Sequence, residues 1–384
     1  MDTKDQNTDT ASSFMSPDGG IGPRGPELMS MPSTLETQSE DQEGLQLLSE
    51  EPEKSPQKVT DKKTEKATTP LQDSLRRLRR DKRAMFCLTL IVLFIIIPIV
   101  GPFIYTHIGG QVVDGLTGQK IGPSTYHSPF YQQLDHQNEL PSGRYWLGTD
   151  GIGRDILARL MQGMLISLFV AISVEIVNIT LGIFVGVCAG FFGGWIDQFL
   201  ARFTDIMFAF PGLLFVILVA GIFGPSLDDP LSKIPIIGAN GNARLLVVSV
   251  ALAFVGWPLM ARFVRGQTLQ LKEQQFIEAA RTSGTSSSHI IMRHIVPNLF
   301  NIVVVAATLD IANTVIAEAG LSFLGLGVST PGSSIGLMIN DAQNVIDVYP
   351  WEILVPAITL TIIVLAFSFL GDGLRDAFDP RAKD

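Results

Sequence analysis

Apolar residues in this chain gather into long runs rather than alternating. Six runs approach the roughly 20 residues a helix needs to cross a bilayer core. They fall at 84–105, 164–192, 206–223, 245–264, 299–321 and 353–370, the first carrying Pro98 as a place to kink. Between the fourth and fifth runs the pattern changes. Residues 276–298 read FIEAARTSGTSSSHIIMRHIVPN, too polar to cross a membrane and too regular for a slack loop. The spacing predicts a short helix over 276–283, with Glu278 near its start, where a carboxylate suits the positive helix end. Gly284 predicts a left-handed turn, because glycine lacks the Cβ that opposes one. Among the serines at 286–288, Ser288 is best placed to cap a second helix reaching Val296, with Pro297 marking a new boundary before the fifth run. The result is a helix–turn–helix elbow lying across the membrane face. Ala279 and Ala280 at its corner offer almost no side chain to an approaching surface.

Composition supports the membrane reading and locates the charge. Of the 384 residues, 46% are hydrophobic and 17% charged, a balance typical of membrane proteins. Residues 1–75 hold 15 acidic and 7 basic residues, so the net charge of −9 leaves only −1 for the other 309. This segment is rich in Ser, Thr, Pro, Gln and Glu without apolar periodicity and is expected to be a disordered tail. It does not read as a signal peptide, since no apolar core follows a short basic start. Lys and Arg near the runs set the orientation. If the cluster at 76–83 is cytoplasmic, inside segments carry 15 basic residues and outside segments 6. Both termini and the elbow then face the cytoplasm.

The chemistry excludes several classes. There is no GxxxxGK[ST] phosphate loop and no HExxH. His289 and His294 are five apart, which does not put two imidazoles on one helix face. GLSFLG at 320–325 lacks the spacing of a nucleophile elbow. Cys87 and Cys188 lie inside apolar runs and read as small buried hydrophobes. No catalytic residue, metal site or nucleic-acid partner is expected. Glu175, Asp310 and Asn313 fall within apolar runs, where a charge costs at least about 2.5 kcal/mol, so they are expected to face the protein interior. They either line a translocation path or hydrogen-bond between spans. Glu318 is expected near the interface. Gly182, Gly186 and Gly190 form a repeated GxxxG, which predicts close helix packing.

The elbow resembles the EAA loop of ABC-importer permeases at Glu278, Ala279, Ala280, Gly284 and Pro297. WLGTDGIGRDILARLMQGMLISL at 146–168, EAGLSFLGLGV at 318–328 and LGDGLRDAFDPR at 370–381 are similar to the C-type transmembrane subunits of the dipeptide, oligopeptide and nickel transporters. Ile335, Ala357 and Ser368 depart from that pattern. The resemblance implies an all-α membrane protein, a type I (MetI-like) importer permease with six transmembrane helices. Its organisation would be a tail at 1–75, a basic anchor and first span at 76–108, and an extracytoplasmic loop at 109–162. A permease core at 163–373, with the EAA loop at 272–298, and a cytoplasmic end at 374–384 would complete it. It further implies import of short peptides across a bacterial or archaeal plasma membrane. The partners would be a B-type second permease, two P-loop ATPases and an extracytoplasmic binding protein. ATP and Mg would sit on the ATPases, and this chain would hold no cofactor and contact only partners and lipid. The alternatives are nickel or another small solute as substrate, or a self-sufficient proton-coupled carrier using Glu175 and Asp310.

Overall fold

The computed structural model describes residues 70–232 and 243–378. The tail up to residue 69, residues 233–242 and the last six residues lie outside the described residues. Helix α1, Pro70–Arg80, already takes in 70–75, so the helix begins before the boundary that composition suggested. The reason is visible in retrospect: Leu71, Leu75 and Leu78 recur at helical spacing.

Helix α2, Lys82–Tyr105, starts where the Asp81 carboxylate accepts from the backbone N–H groups of Arg83 and Ala84. Residues 106–155 then form a small folded segment. It contains a two-residue antiparallel ladder of β1 (Val112–Val113) and β2 (Lys120–Ile121) and a single turn of helix, α3, Pro123–Tyr126. The buried side chains of Ile121, Tyr126 and Tyr145 close it. Its last residue, Asp155, ties three elements together. The carboxylate caps the next helix through the N–H groups of Leu157 and Ala158, and it accepts from the Tyr105 hydroxyl at 2.8 Å and His127 Nδ1 at 2.7 Å.

That next helix, α4, runs Ile156–Phe192, 37 residues, about 55 Å at 1.5 Å per residue. It begins well before the apolar run because the Asp155 cap, not hydropathy, sets its start. The third run does not form one helix. Instead α5 (Gly194–Ala209) and α6 (Gly212–Ser232) meet at Phe210–Pro211 with a bend of 71°. Pro211 disfavours helix at the residue before it, and Phe210 is accordingly extended, φ −80°, ψ 136°. Among the described residues five helices are long and apolar enough to cross a membrane, or six if this bent pair counts as one span.

After α7, Ala243–Lys272, the chain enters the elbow through α8, Gln275–Thr282, and α9, Ser287–Ile290. It continues through α10 (Val296–Phe323), α11 (Ile335–Ala342) and α12 (Pro350–Phe378). The glycine series on α4 packs as expected. A Cβ on Gly182 would lie 2.4 Å from Met260, one on Gly186 2.6 Å from the Ala261 carbonyl oxygen, and one on Gly190 2.7 Å from Thr268. Without side chains at these positions the backbones of α4 and α7 come together, the usual means of helix association in lipid. A larger core joins α2, α4, α10 and α12 around Ile91, Leu168, Val315 and Ile363, with Cys87 buried in it. Phe103, Phe169 and Phe184 stand exposed on the flanks, a surface suited to lipid or a protein neighbour.

Candidate functional site: the elbow and the buried carboxylates

Glu278 stands in the first turn of α8, exposed, with Ala279 exposed beside it. The helix ends in a Schellman motif: Gly284 N–H donates to the Arg281 carbonyl and Thr285 N–H to the Ala280 carbonyl, at 3.0 and 3.1 Å. This closure needs a left-handed residue after the cap, and Gly284 supplies it with φ +76°. No atom lies within 4 Å of where its Cβ would be, so the turn is open to a neighbour.

The corner differs from expectation in three respects. Ala280 is partly buried and packs inward, so the free face is Glu278, Ala279 and Gly284, joined by Ser283. The second helix begins at Ser287 with Ser286 in the cap position, two residues before Ser288 would place it. Pro297 is not a break. A π-helical turn, Ile291–Ile295, carries α9 directly into α10, and Pro297 sits exposed in the first turn of α10. A proline inside a helix lacks an N–H and crowds the preceding turn, and widening that turn to i→i+5 relieves the conflict.

Sequence reasoning missed what holds the elbow. Ile277, Ile290, Ile295 and Leu299, each no more than 1% exposed, sink into a cluster with Val187 and Phe191 of α4 and Met260 and Val264 of α7. The guanidinium of Arg281 lies 5.1 Å above the Phe191 ring. The signal was available as the apolar residues interleaved with polar ones in FIEAARTSGTSSSHIIMRHI. The corner is therefore packed onto α4, α7 and α10 through close-fitting side chains.

Within the spans, Glu175 is buried and both its carboxylate oxygens lack a hydrogen-bond partner among the described residues. Asn178, one turn along α4, donates to Asp310 Oδ2 of α10 at 3.4 Å, and Gly256 on α7 makes room for its amide. Asn313 does not share this interior; it is exposed on the surface of the chain. Glu318 lies five residues from the end of α10, inside the protein rather than on its surface. It is wholly buried and accepts from Ser167 at 2.5 Å and Ser322 at 2.7 Å. His289 is exposed, His294 lies against the Phe276 ring, and among the described residues no His/Cys/Asp/Glu group could hold a metal.

Membrane-length helices, with an exposed polar corner seated on a buried apolar cluster, define a multi-pass membrane protein. The comparisons name the class. Residues 179–384 match the model of the binding-protein-dependent transport system inner membrane component, and residues 69–141 match the N-terminal transmembrane domain of oligopeptide transport permease C. A putative peptide permease protein of Brucella suis is 40% identical over 64% of this chain and 76% of its own length. The dipeptide transport system permease protein DppC of Alkalihalophilus pseudofirmus is 34% identical over 83% of this chain and 92% of its own. A structure of the MetNI methionine ABC transporter, inward-facing, aligns with TM-score 0.43 at 20% identity over 57% of this chain and 95% of that chain. The chain belongs to the family of binding-protein-dependent transport system inner membrane components, the permeases of ABC importers.

Proposed function

We propose that this chain is the permease subunit of an ATP-driven importer of short peptides, seated in a bacterial or archaeal plasma membrane with both termini cytoplasmic. Relatives named as peptide and dipeptide permeases, and the match to an oligopeptide-permease domain, support the substrate class. The partners are a second permease subunit, two ATPases that hold ATP and Mg, and an extracytoplasmic binding protein. Glu278 makes a polar contact in the ATPase groove, Ala279 lets the surfaces approach, and Gly284 turns the chain away, with Ala280 and Pro297 shaping the elbow behind them. Closure of the ATPases moves the elbow and shifts the spans between inward-facing and outward-facing states, which requires contacts that differ between the two. Glu175, Asp310 and Asn313 belong to the translocation path. The observation that carries the reading is an exposed Glu278–Ala279–Gly284 corner over buried Ile277, Ile290, Ile295 and Leu299. A self-sufficient proton-coupled carrier is not favoured, because the matching family works with a binding protein.

The test is co-purification of the tagged chain from native membranes in mild detergent. An ATPase should accompany the wild type and be lost with Glu278→Arg. Recovery of the ATPase with both would remove the corner from the coupling site.

A further inference from the structure

The elbow makes no use of the motif at 146–168. Its residues, with α11 and the first turn of α12, enclose a pocket of about 240 Å³ at the end of α4 remote from the elbow. Arg154 and Arg159 each bridge two carboxylates there. Arg154 donates to Asp150 at 2.8 Å and Asp341 at 3.0 Å; Arg159 donates to the same pair at 2.5 and 2.7 Å. Those four charges balance. A third carboxylate lines the same pocket: Glu352, 4% exposed, whose Oε1 has no hydrogen-bond partner among the described residues. The pocket thus holds three carboxyl groups against two guanidinium groups, and a buried carboxylate left unpaired is costly.

The missing group has recognisable chemistry. Asp150 and Asp341 are already engaged by guanidinium groups, so one carboxylate remains, a poor donor set for a divalent metal but the right count for a single ammonium. Arg159 contributes a second unpartnered group, its buried Nε–H, which calls for an acceptor. An ammonium with a carbonyl oxygen one carbon away meets both demands, and a peptide's amino terminus is that arrangement. A lysine side chain offers only the ammonium. Asp341, 34% exposed at its side chain, leaves the pocket open on one side.

We propose that this pocket receives the amino terminus of the transported peptide, Glu352 accepting from the ammonium and Arg159 Nε donating to the first carbonyl. The assignment rests on the peptide-importer reading and adds the end of the substrate that is recognised. The test uses the complete permease–ATPase complex in nanodiscs, titrated with trialanine and with N-acetyl-trialanine. The wild type should bind the free peptide about tenfold or more tightly, the worth of one charge-assisted hydrogen bond, and Glu352→Gln should erase the difference. Equal binding of the two peptides by the wild type, or an undiminished preference in Glu352→Gln, overturns the proposal. Should Glu352→Gln fail to fold, Glu352→Asp keeps the charge and draws the carboxylate back. It must weaken the free peptide selectively, and equal weakening of both overturns the proposal. Trialanine uptake by cells with and without the chain separates the two readings. Uptake that needs the chain but shows no amine preference ends only the pocket assignment; uptake that ignores the chain ends both.

Discussion

The hydroxyl of Ser167 on α4 donates to Glu318 Oε2 on α10 at 2.5 Å, and neither residue reaches solvent. Ser322 supplies a second donor to the other oxygen, and Gly327 leaves that hydroxyl its space, since a Cβ there would meet it. A wholly buried carboxyl held by hydroxyls from both helices ties α4 to α10 near this end of the bundle.

Removing one donor should show this. Ser167→Ala is expected to destabilise the chain by about 1–3 kcal/mol, the usual cost of a buried polar group left short of a partner. Thermal unfolding in detergent measures it, and an unchanged midpoint would mean that Glu318 finds its partners elsewhere.

The α4–α7 seam predicts a contrast between two glycines. Gly186→Leu drives a side chain into the Ala261 carbonyl and Val264 and should cost about 1–3 kcal/mol or more by overpacking. Gly320→Ala meets nothing within 4 Å, sits in a helix, and should be neutral or slightly stabilising. A thermal scan of both variants alongside wild type reads the difference.

Gly284→Ala isolates the turn. With open space around it, the only penalty is the left-handed backbone, about 1–2 kcal/mol. Global stability should fall by no more than that, whereas ATP hydrolysis coupled to transport in the reconstituted complex should drop severalfold. Full coupling in this variant would show that the elbow tolerates another turn geometry.

The segment between α2 and α4 carries a pH signature. The Tyr131 hydroxyl, followed by the Thr117 backbone N–H, holds the Asp114 carboxyl down at about 2, and the same contact pushes Tyr131 up to about 12. A lowered acid stabilises the fold above its ordinary value of 3.8 and loses that contribution as pH falls through 2. A raised tyrosine stabilises below its ordinary value of 10.0 and loses that contribution as pH rises through 12. The contact is therefore complete between about pH 4 and 10. Tyrosinate absorbance should show one of the late-titrating tyrosines moving toward 10 in Asp114→Asn; no such movement would break the pairing.

The chain's own order of residues determined more of the elbow than of the bundle interior. Glu278 in a first turn and Gly284 in a left-handed closure follow from local rules, because helix caps and glycine torsions are settled within a few residues. The apolar runs likewise announced membrane-length helices, since hydropathy counts residues without needing their neighbours. Even the bend at Phe210–Pro211 was written locally, in the constraint that proline places on the residue before it.

Tertiary structure alone decided the pairings. Asp341 meets Arg159 across 182 positions, and Glu318 lies buried near the end of a span where position suggested an interface. Asn313, three residues from Asp310, turns outward while Asp310 turns toward Asn178. Residues three apart on a helix are offset by only about 60°, so Asp310 and Asn313 fall on either side of the edge of the buried stripe. Which face is interior depends on where α4 packs. That placement is set by the approach of α4 and α7 along Gly182, Gly186 and Gly190, a contact between segments whose relative position no local pattern encodes.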